Sequence, residues 1–162
     1  MSHSKEYALI YLAALATLAE MGVAAVVENG RFFPPLRFFA PALGLTSLTL
    51  ILWPIYTLQQ HQVATARASY MATTHVVDSG LYAIVRHPQY LGYMGLNITF
   101  MLISHHWLTL LLSASAISLF YTHTLHEEKQ LIEKFGAVYQ SYMERVPRFN
   151  IISGAIRTMR HG

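Results

Sequence analysis

A chain of 162 residues in which 54% of the residues are hydrophobic and only 12% are charged has too much apolar surface for a small water-soluble domain. Its mean hydropathy of +0.36 predicts an integral membrane protein. The net charge is +3, but its distribution along the chain matters more than its sum, and we expect no nucleic-acid partner. The absence of cysteine excludes a disulfide framework, a thiolate nucleophile and a zinc–thiolate site.

Two apolar runs before residue 59 are long enough to cross a bilayer, which takes about 20 residues. The first, residues 7–27, contains Glu20, and an ionisable residue inside a span is a functional hypothesis by default. The alternative is that Glu20 reaches the interface or a neighbouring helix. The second run, residues 38–58, carries Pro54 near its end, where proline should kink or end the helix.

Glycine and proline separate these runs from the rest of the chain. Gly30 should end the first helix, and Pro34 and Pro35 should keep the link to the second one non-helical. The longest polar stretch, residues 59–87, follows the second run. A connection of this length is usually functional or disordered.

The second half of the chain predicts a helical hairpin. Residues 89–104 are apolar but short for a span, His105 and His106 should form a turn, and residues 107–125 are apolar again. From His126 the pattern becomes amphipathic, which predicts one helix that leaves the membrane and ends at residues 146–148. Its apolar stripe should be Leu131, Phe135, Val138 and Tyr142.

These elements predict an all-α integral membrane protein with four to five transmembrane helices, including the hairpin, and an amphipathic C-terminal helix. We expect one domain, residues 1–162, with two spans in residues 1–58 and a cofactor-binding and catalytic half in residues 73–149. With four spans, the positive-inside rule places both termini and the active site on the cytoplasmic face. Only Arg31 and Arg37 then lie on the other side. The basic residues of the cytoplasmic side are Lys5, Arg67, Arg86, Lys129, Lys134, Arg145, Arg148, Arg157 and Arg160.

The stretch from Ser79 to Gly95 joins a polar segment to an apolar one. Pro88 suits the first position of a helix, because it has no N–H to lose there. Arg86 and His87 should therefore lie at the mouth of a helix with free backbone N–H groups, where an anion or a polar cofactor edge can bind. The alternative is a basic turn at the membrane surface.

A metal centre is a weaker interpretation of the histidines. His123 and His126 are three residues apart on one helix face, with Glu127 beside them, but they form only one partial ligand set. His105 and His106 should lie on the opposite side of the membrane. We therefore expect no metal, and we expect histidines that lie near lipid headgroups instead.

The motifs after residue 73, taken in order, resemble the isoprenylcysteine carboxyl methyltransferase family. The resemblance covers roughly residues 73–149, about half of the chain, and the two N-terminal spans share only their apolar character with the family. Phospholipid N-methyltransferases are relatives with a similar glutamate pair. The motifs are Gly80-x-Tyr82, Arg86-His87-Pro88-x-Tyr90, the hairpin, Glu127-Glu128, Phe135-Gly136-x-x-Tyr139-x-x-Tyr142 and Val146-Pro147-Arg148.

The resemblance implies S-adenosylmethionine as methyl donor and a lipid-like or hydrophobic acceptor that enters from the bilayer, with membrane lipids around the protein. Glu127 would bind the polar end of the donor. The other residues implied to surround it are His75, Val76, Val77, Tyr82, His87, Pro88, Gln89 and Tyr90.

One position departs from the family pattern. Eukaryotic members carry an arginine one helical turn before the glutamate pair, and this arginine meets the acceptor carboxylate. His123 occupies the position of that arginine here. Because histidine is only partly charged near neutral pH, Arg145 and Arg148 are further candidates for acceptor binding; the alternative is that they contact lipid at the membrane surface. We expect Arg86, His87 and His123 to be the catalytic residues, with a histidine taking the proton of an amine acceptor.

Two other classes of protein stay open from the sequence. One is a sterol-reductase-like membrane enzyme that uses NADPH, and the other is a non-catalytic membrane scaffold or lipid-binding protein. Within the methyltransferase hypothesis, carboxyl O-methylation and lipid amine N-methylation are both possible. Binding of the methyl donor, of a nicotinamide cofactor or of neither distinguishes the three classes.

Overall fold

The computed structural model describes residues 3–27, 34–60 and 73–161, and these ranges are almost entirely helical. A 3₁₀ helix covers Gly80–Ala83, and no strand occurs in the described ranges. The six α-helices are α1 (His3–Val26), α2 (Pro34–Gln60), α3 (Pro88–Ser104), α4 (Trp107–Phe135), α5 (Ala137–Arg145) and α6 (Ile151–His161).

The all-α membrane fold and its hairpin are confirmed. Three of the described helices, α1, α2 and α4, contain segments long and apolar enough to cross a bilayer, while α3 has only 17 residues. His105 and His106 form the turn between α3 and α4, as expected. Large apolar side chains such as Leu15 and Leu45 are exposed on the spans, as side chains in contact with lipid would be.

The start and the course of α2 differ from the expectation. Pro34 is the first residue of the helix rather than part of a non-helical link, because proline at that position gives up no hydrogen bond and its φ angle already suits a helix. The helix also continues past Pro54 to Gln60, so Pro54 does not end it. Gly30, expected to end α1, lies outside the described residues.

The chain divides into two compact units. The first comprises Met1–Thr49 and Gly92–His126. Its interior is polar for a membrane protein: the Asn97 amide donates to the Thr17 hydroxyl at 3.1 Å, and Ser113 Oγ hydrogen-bonds to the buried Glu20 carboxylate. Glu20 therefore reaches a neighbouring helix, the alternative expected for an ionisable residue in a span.

The second unit comprises Leu50–Leu91 and Glu127–Gly162 and has a conventional apolar core. The Tyr142 hydroxyl ties this core to the polar stretch by donating to the Tyr82 carbonyl oxygen at 2.7 Å. The core thereby fixes the segment that leads into Arg86 and His87. Its buried members are Leu58, Val77, Tyr82, Leu131, Tyr139, Tyr142 and Val146.

The expected single amphipathic helix after His126 is two helices. The helix is interrupted at Gly136, whose φ of 58° and ψ of −135° are backbone angles that almost only glycine adopts. The break changes the buried face, so that Tyr139 is buried while Val138, expected in the apolar stripe, is 65% exposed. The basic tail, for which no helix was expected, forms α6.

Candidate functional site

Two sequence motifs lie side by side through their backbones in the second unit. The N–H of Arg86 donates to the carbonyl oxygen of Pro147 at 3.0 Å, and the N–H of His87 donates to that of Arg148 at 3.4 Å. The expectation that these two N–H groups are free to bind an anion is therefore wrong. Pro88 does begin α3, as predicted. The N–H groups of Arg86 and His87, however, donate to the chain segment around Arg148 instead of to a ligand.

Glu128 is the centre of a buried polar network. Its carboxylate accepts hydrogen bonds from Arg148 Nε at 3.0 and 3.1 Å, and Arg86 lies 3.1 Å from Oε1. His87 Nε2 lies 3.1 Å from the same oxygen. Because two guanidinium groups surround one buried carboxylate, its negative charge is compensated within the protein.

Arg86 also links this network to α5. Its second terminal nitrogen donates to the carbonyl oxygen of Met143 at 3.1 Å. That carbonyl belongs to the last turn of α5, where a cation is favoured by the helix dipole. Arg86 is 8% exposed, so it acts as an internal crosslink between the polar stretch, α4 and α5.

Glu127 has a different environment from its neighbour. It is 7% exposed, and its Oε2 makes no hydrogen bond to any residue that the structure describes. The His87 ring approaches this oxygen with Nδ1 at 3.8 Å, which is too far for a hydrogen bond. A buried carboxylate oxygen without a donor is costly to the protein alone, so the arrangement suits a ligand that brings N–H or O–H groups.

His87 connects the two carboxylates. Its Nε2 faces Glu128 and its Nδ1 faces Glu127, so both ring nitrogens are directed at carboxylate oxygens. The ring lies against Tyr90 and Phe149, with centroid distances of 5.9 and 6.1 Å. These contacts hold the imidazole in a fixed orientation between a satisfied carboxylate and an unsatisfied one.

The other residues expected to hold a cofactor differ in position. Val77 and Tyr82 are buried in the core of the second unit. His75 is exposed, and its Nδ1 lies 3.3 Å from the Thr74 hydroxyl. Val76 packs against the core, whereas the prolyl ring at 88 is buried and Gln89 and Tyr90 are partly exposed at the start of α3.

The residues expected to bind an acceptor do not form one cluster. Arg148 joins the Glu128 network, whereas Arg145 is exposed and pairs loosely with Asp78 at 3.8 Å. His123 is partly buried on α4 and belongs to the first unit. Among residues 3–27, 34–60 and 73–161, no three His, Cys, Asp or Glu side chains are grouped in a way that could hold a metal.

Sequence reasoning missed the role of Glu128. Only Glu127 was assigned to the donor, because the resemblance concerns the first member of the pair. The available signal was the helix itself: adjacent residues point about 100° apart, so two neighbouring glutamates are expected to differ in most of their contacts. Phe149, which covers His87, was also missed, and no short-range pattern marks it.

A comparison with protein families identifies the family of this chain. The profile of the isoprenylcysteine carboxyl methyltransferase family matches residues 42–133, more than half of the chain. The chain belongs to this family. The match begins within α2, earlier than the motifs alone indicated, and includes Arg86, His87, Glu127 and Glu128.

A curated relative gives the same relationship over a shorter length. The Protein-S-isoprenylcysteine O-methyltransferase of Schizosaccharomyces pombe is 37% identical over 73 residues, which are 44% of this chain and 31% of that protein. The match therefore spans about a third of the length of the curated relative. No solved structure shows a significant match.

Proposed function

We propose that this protein is an integral membrane methyltransferase that transfers a methyl group from S-adenosylmethionine to a hydrophobic or lipid-like acceptor. The observation that carries the proposal is the buried Glu127 oxygen without a partner, next to His87, in a chain of the isoprenylcysteine carboxyl methyltransferase family. The membrane spans support an acceptor that is itself dissolved in the bilayer.

The residues present fit the donor at its polar end. S-adenosylmethionine carries an ammonium group and ribose hydroxyls, and each of these can donate to an unsatisfied carboxylate oxygen. Glu127 would hold one such group, while Tyr90 and Gln89 at the start of α3 would contact the rest. Because Glu128 already has its counter-charges, it keeps His87 and Arg148 in place and leaves Glu127 for the donor.

The chemistry needs alignment more than acid–base catalysis. When bound, the donor supplies an activated methyl group: the acceptor oxygen forms a bond to the methyl carbon, and the S–CH₃ electron pair returns to sulfur. A carboxylate acceptor has no proton to lose, so the protein's part is to orient the reactants and to exclude water. The burial of Arg86, His87, Glu127 and Glu128 is suited to that task.

Carboxyl O-methylation is the form of the reaction that we propose first. The relative named above is an O-methyltransferase of isoprenylcysteine, and the family carries the same description. A carboxylate acceptor would need a cation; Arg148, which is 27% exposed, and the exposed Arg145 are the candidates in the second unit, with His123 as a further one. We also propose that the termini and the site face the cytoplasm, where the donor is made, in agreement with the positive-inside rule.

Calorimetric titration of the detergent-purified protein tests the proposal. We expect micromolar binding of S-adenosylmethionine and comparable or tighter binding of its demethylated product. A parallel titration with NADPH should give no heat of binding. Folded protein that binds neither the donor nor its product would contradict the proposal, and binding of NADPH would favour a reductase instead.

The acceptor class needs a separate assay. Purified protein in bilayers should transfer the radiolabelled methyl group of the donor to an S-prenylated cysteine that has a free carboxylate. The matched control is the same compound with its carboxylate amidated, which offers no anionic oxygen and should stay unlabelled. Labelling of phosphatidylethanolamine in place of the prenylcysteine would contradict carboxyl methylation and would identify a lipid N-methyltransferase.

A further inference from the structure

The helix α6 directs its apolar side away from the protein. Ile152, Ile156 and Met159 are 74%, 47% and 82% exposed. Their spacing of four and three residues places them on one face of the helix. In a helix that packs on a protein core, this stripe normally faces inward, so the outward direction in α6 calls for a partner.

The inward side of α6 explains why its rotation is fixed. Gly154 is buried so closely against the Ile84 carbonyl oxygen that an added Cβ would overlap that atom. A terminal nitrogen of Arg157 donates to the Ala83 carbonyl oxygen next to it. Both contacts lie on the side of the helix opposite the apolar stripe. The structure therefore holds the stripe outward.

Charge around the stripe has one sign. Residues 146–162 contain no aspartate or glutamate, and Arg160 is exposed beside the stripe. A helix with an apolar face and basic neighbours is typical of segments that lie in the headgroup region of a membrane. At 11 residues, α6 is too short to cross the bilayer, which takes about 20.

We propose that the face formed by Ile152, Ile156 and Met159 lies in the headgroup region of the bilayer, and that Arg160 gives it a preference for anionic lipid. The spans of the same chain keep the bilayer within reach. Three side chains are too small an area for a stable dimer, which buries about 800 Å² on each partner. The proposal does not depend on the methyl donor or on the acceptor.

Single-cysteine labelling tests the proposal cleanly, because the chain has no native cysteine. I152C, M159C and T158C would each be labelled with a polarity-sensitive fluorophore and placed, as full-length protein, in nanodiscs that hold one copy. Thr158 is exposed and lies about 120° around the helix from Ile152, so it is the matched control. Accessibility is measured with the uncharged quencher acrylamide, in phosphatidylcholine alone and with added phosphatidylglycerol.

We expect labels at 152 and 159 to emit at shorter wavelength and to resist quenching, whereas the label at 158 is quenched. Added phosphatidylglycerol should increase the ratio of protected to quenched label, and R160Q should reduce that increase by up to about fivefold. Equal quenching at 152 and 158 would overturn the proposal. Protection from quenching that is absent in single-copy discs but present in crowded vesicles would also overturn the proposal. It would show that a second copy of the protein, and not lipid, covers the apolar stripe. Protection that is identical in both lipids would overturn the anionic preference.

Discussion

Glu127 and Glu128 are neighbours on α4, yet within residues 3–27, 34–60 and 73–161 only the second pairs with arginine. Glu128 contacts Arg86, His87 and Arg148 within 3.1 Å, whereas His87 Nδ1 lies 3.8 Å from Glu127, beyond hydrogen-bond distance. We therefore propose separate tasks for the two carboxylates: Glu128 holds the second unit together, and Glu127 receives a ligand. Substitution of each glutamate in turn distinguishes these tasks.

Replacing Glu127 with glutamine should weaken donor binding and leave the fold intact. Loss of one charge-assisted hydrogen bond lowers affinity by about tenfold or more. Calorimetric titration with S-adenosylmethionine measures the effect, and thermal unfolding should change little. E133Q, an exposed glutamate on the same helix, is the control and should bind like the unmodified chain. Unchanged affinity in E127Q would exclude Glu127 from the donor site.

Replacing Glu128 with glutamine should destabilise the protein. It leaves Arg86 buried without its counter-charge, and removing one partner of a buried ion pair costs about 3 kcal/mol or more. Thermal unfolding in detergent should show a clear fall in midpoint relative to E127Q. If E128Q were as stable as E127Q, the network around Glu128 would have no structural role.

The position of α6 should depend on the lack of a side chain at residue 154. In Gly154→Ala, the added Cβ would collide with the Ile84 backbone, which belongs to the loop leading to Arg86, so α6 must move away. Limited proteolysis should then cleave α6 faster than in the unmodified protein. Gly22→Ala is the control, because a Cβ at residue 22 meets nothing within 4 Å. Equal protection of α6 in both variants would contradict this packing.

Polar contacts in the first unit should contribute modestly to stability. The Thr17 hydroxyl and the Asn97 side chain hydrogen-bond each other between α1 and α3. A double-mutant cycle with T17V and N97L should give a coupling of about 0.6 kcal/mol, the average for such pairs in membrane proteins. T46V is the control, because that exposed hydroxyl bonds only the Ala42 carbonyl of its own helix. If the coupling energy between Thr17 and Asn97 were no larger than that between Thr46 and Asn97, a specific contact would be contradicted.

The break between α4 and α5 should require glycine. At residue 136 an added Cβ meets nothing within 4 Å, so any cost comes from the backbone angles alone. Because ψ is −135°, asparagine should not rescue the position, although it tolerates ordinary left-handed helical angles. Both G136A and G136N should lower the free energy of unfolding by about 1–3 kcal/mol. Full stability in G136N would show that the angles relax.

The sequence predicted what depends on local pattern. Apolar length and spacing marked α1, α3 and α4, and proline marked the start of α3. The break at Gly136 was not predictable in this way, because apolar residues continue at helical spacing across it. The α6 helix was missed because a segment of 11 residues is marginal by itself and is held here by contacts with Ile84 and Ala83.

For the site, local pattern identified the residues but not their partners. The charge distribution predicted Arg86, His87 and Glu127 on one side of the membrane, and the resemblance to a family assigned His87 and Glu127 to the donor. The pairing of Arg86 with Pro147, and of Glu128 with Arg148, joins residues far apart in the chain. Such contacts depend on how α4 and α5 fold back, so no helical period predicts them.

The turn at Gly136 limits how the chain can change in length. A straight helix would carry Arg148 about 30 Å away from Glu128, since 20 residues rise 1.5 Å each. The turn closes residues 128–148 into a loop whose two ends are joined by an ion pair. One residue inserted into α5 before Tyr142 would rotate everything after it by about 100° and remove Tyr142 from the core. This stretch is therefore expected to vary among relatives by substitution while its length is kept.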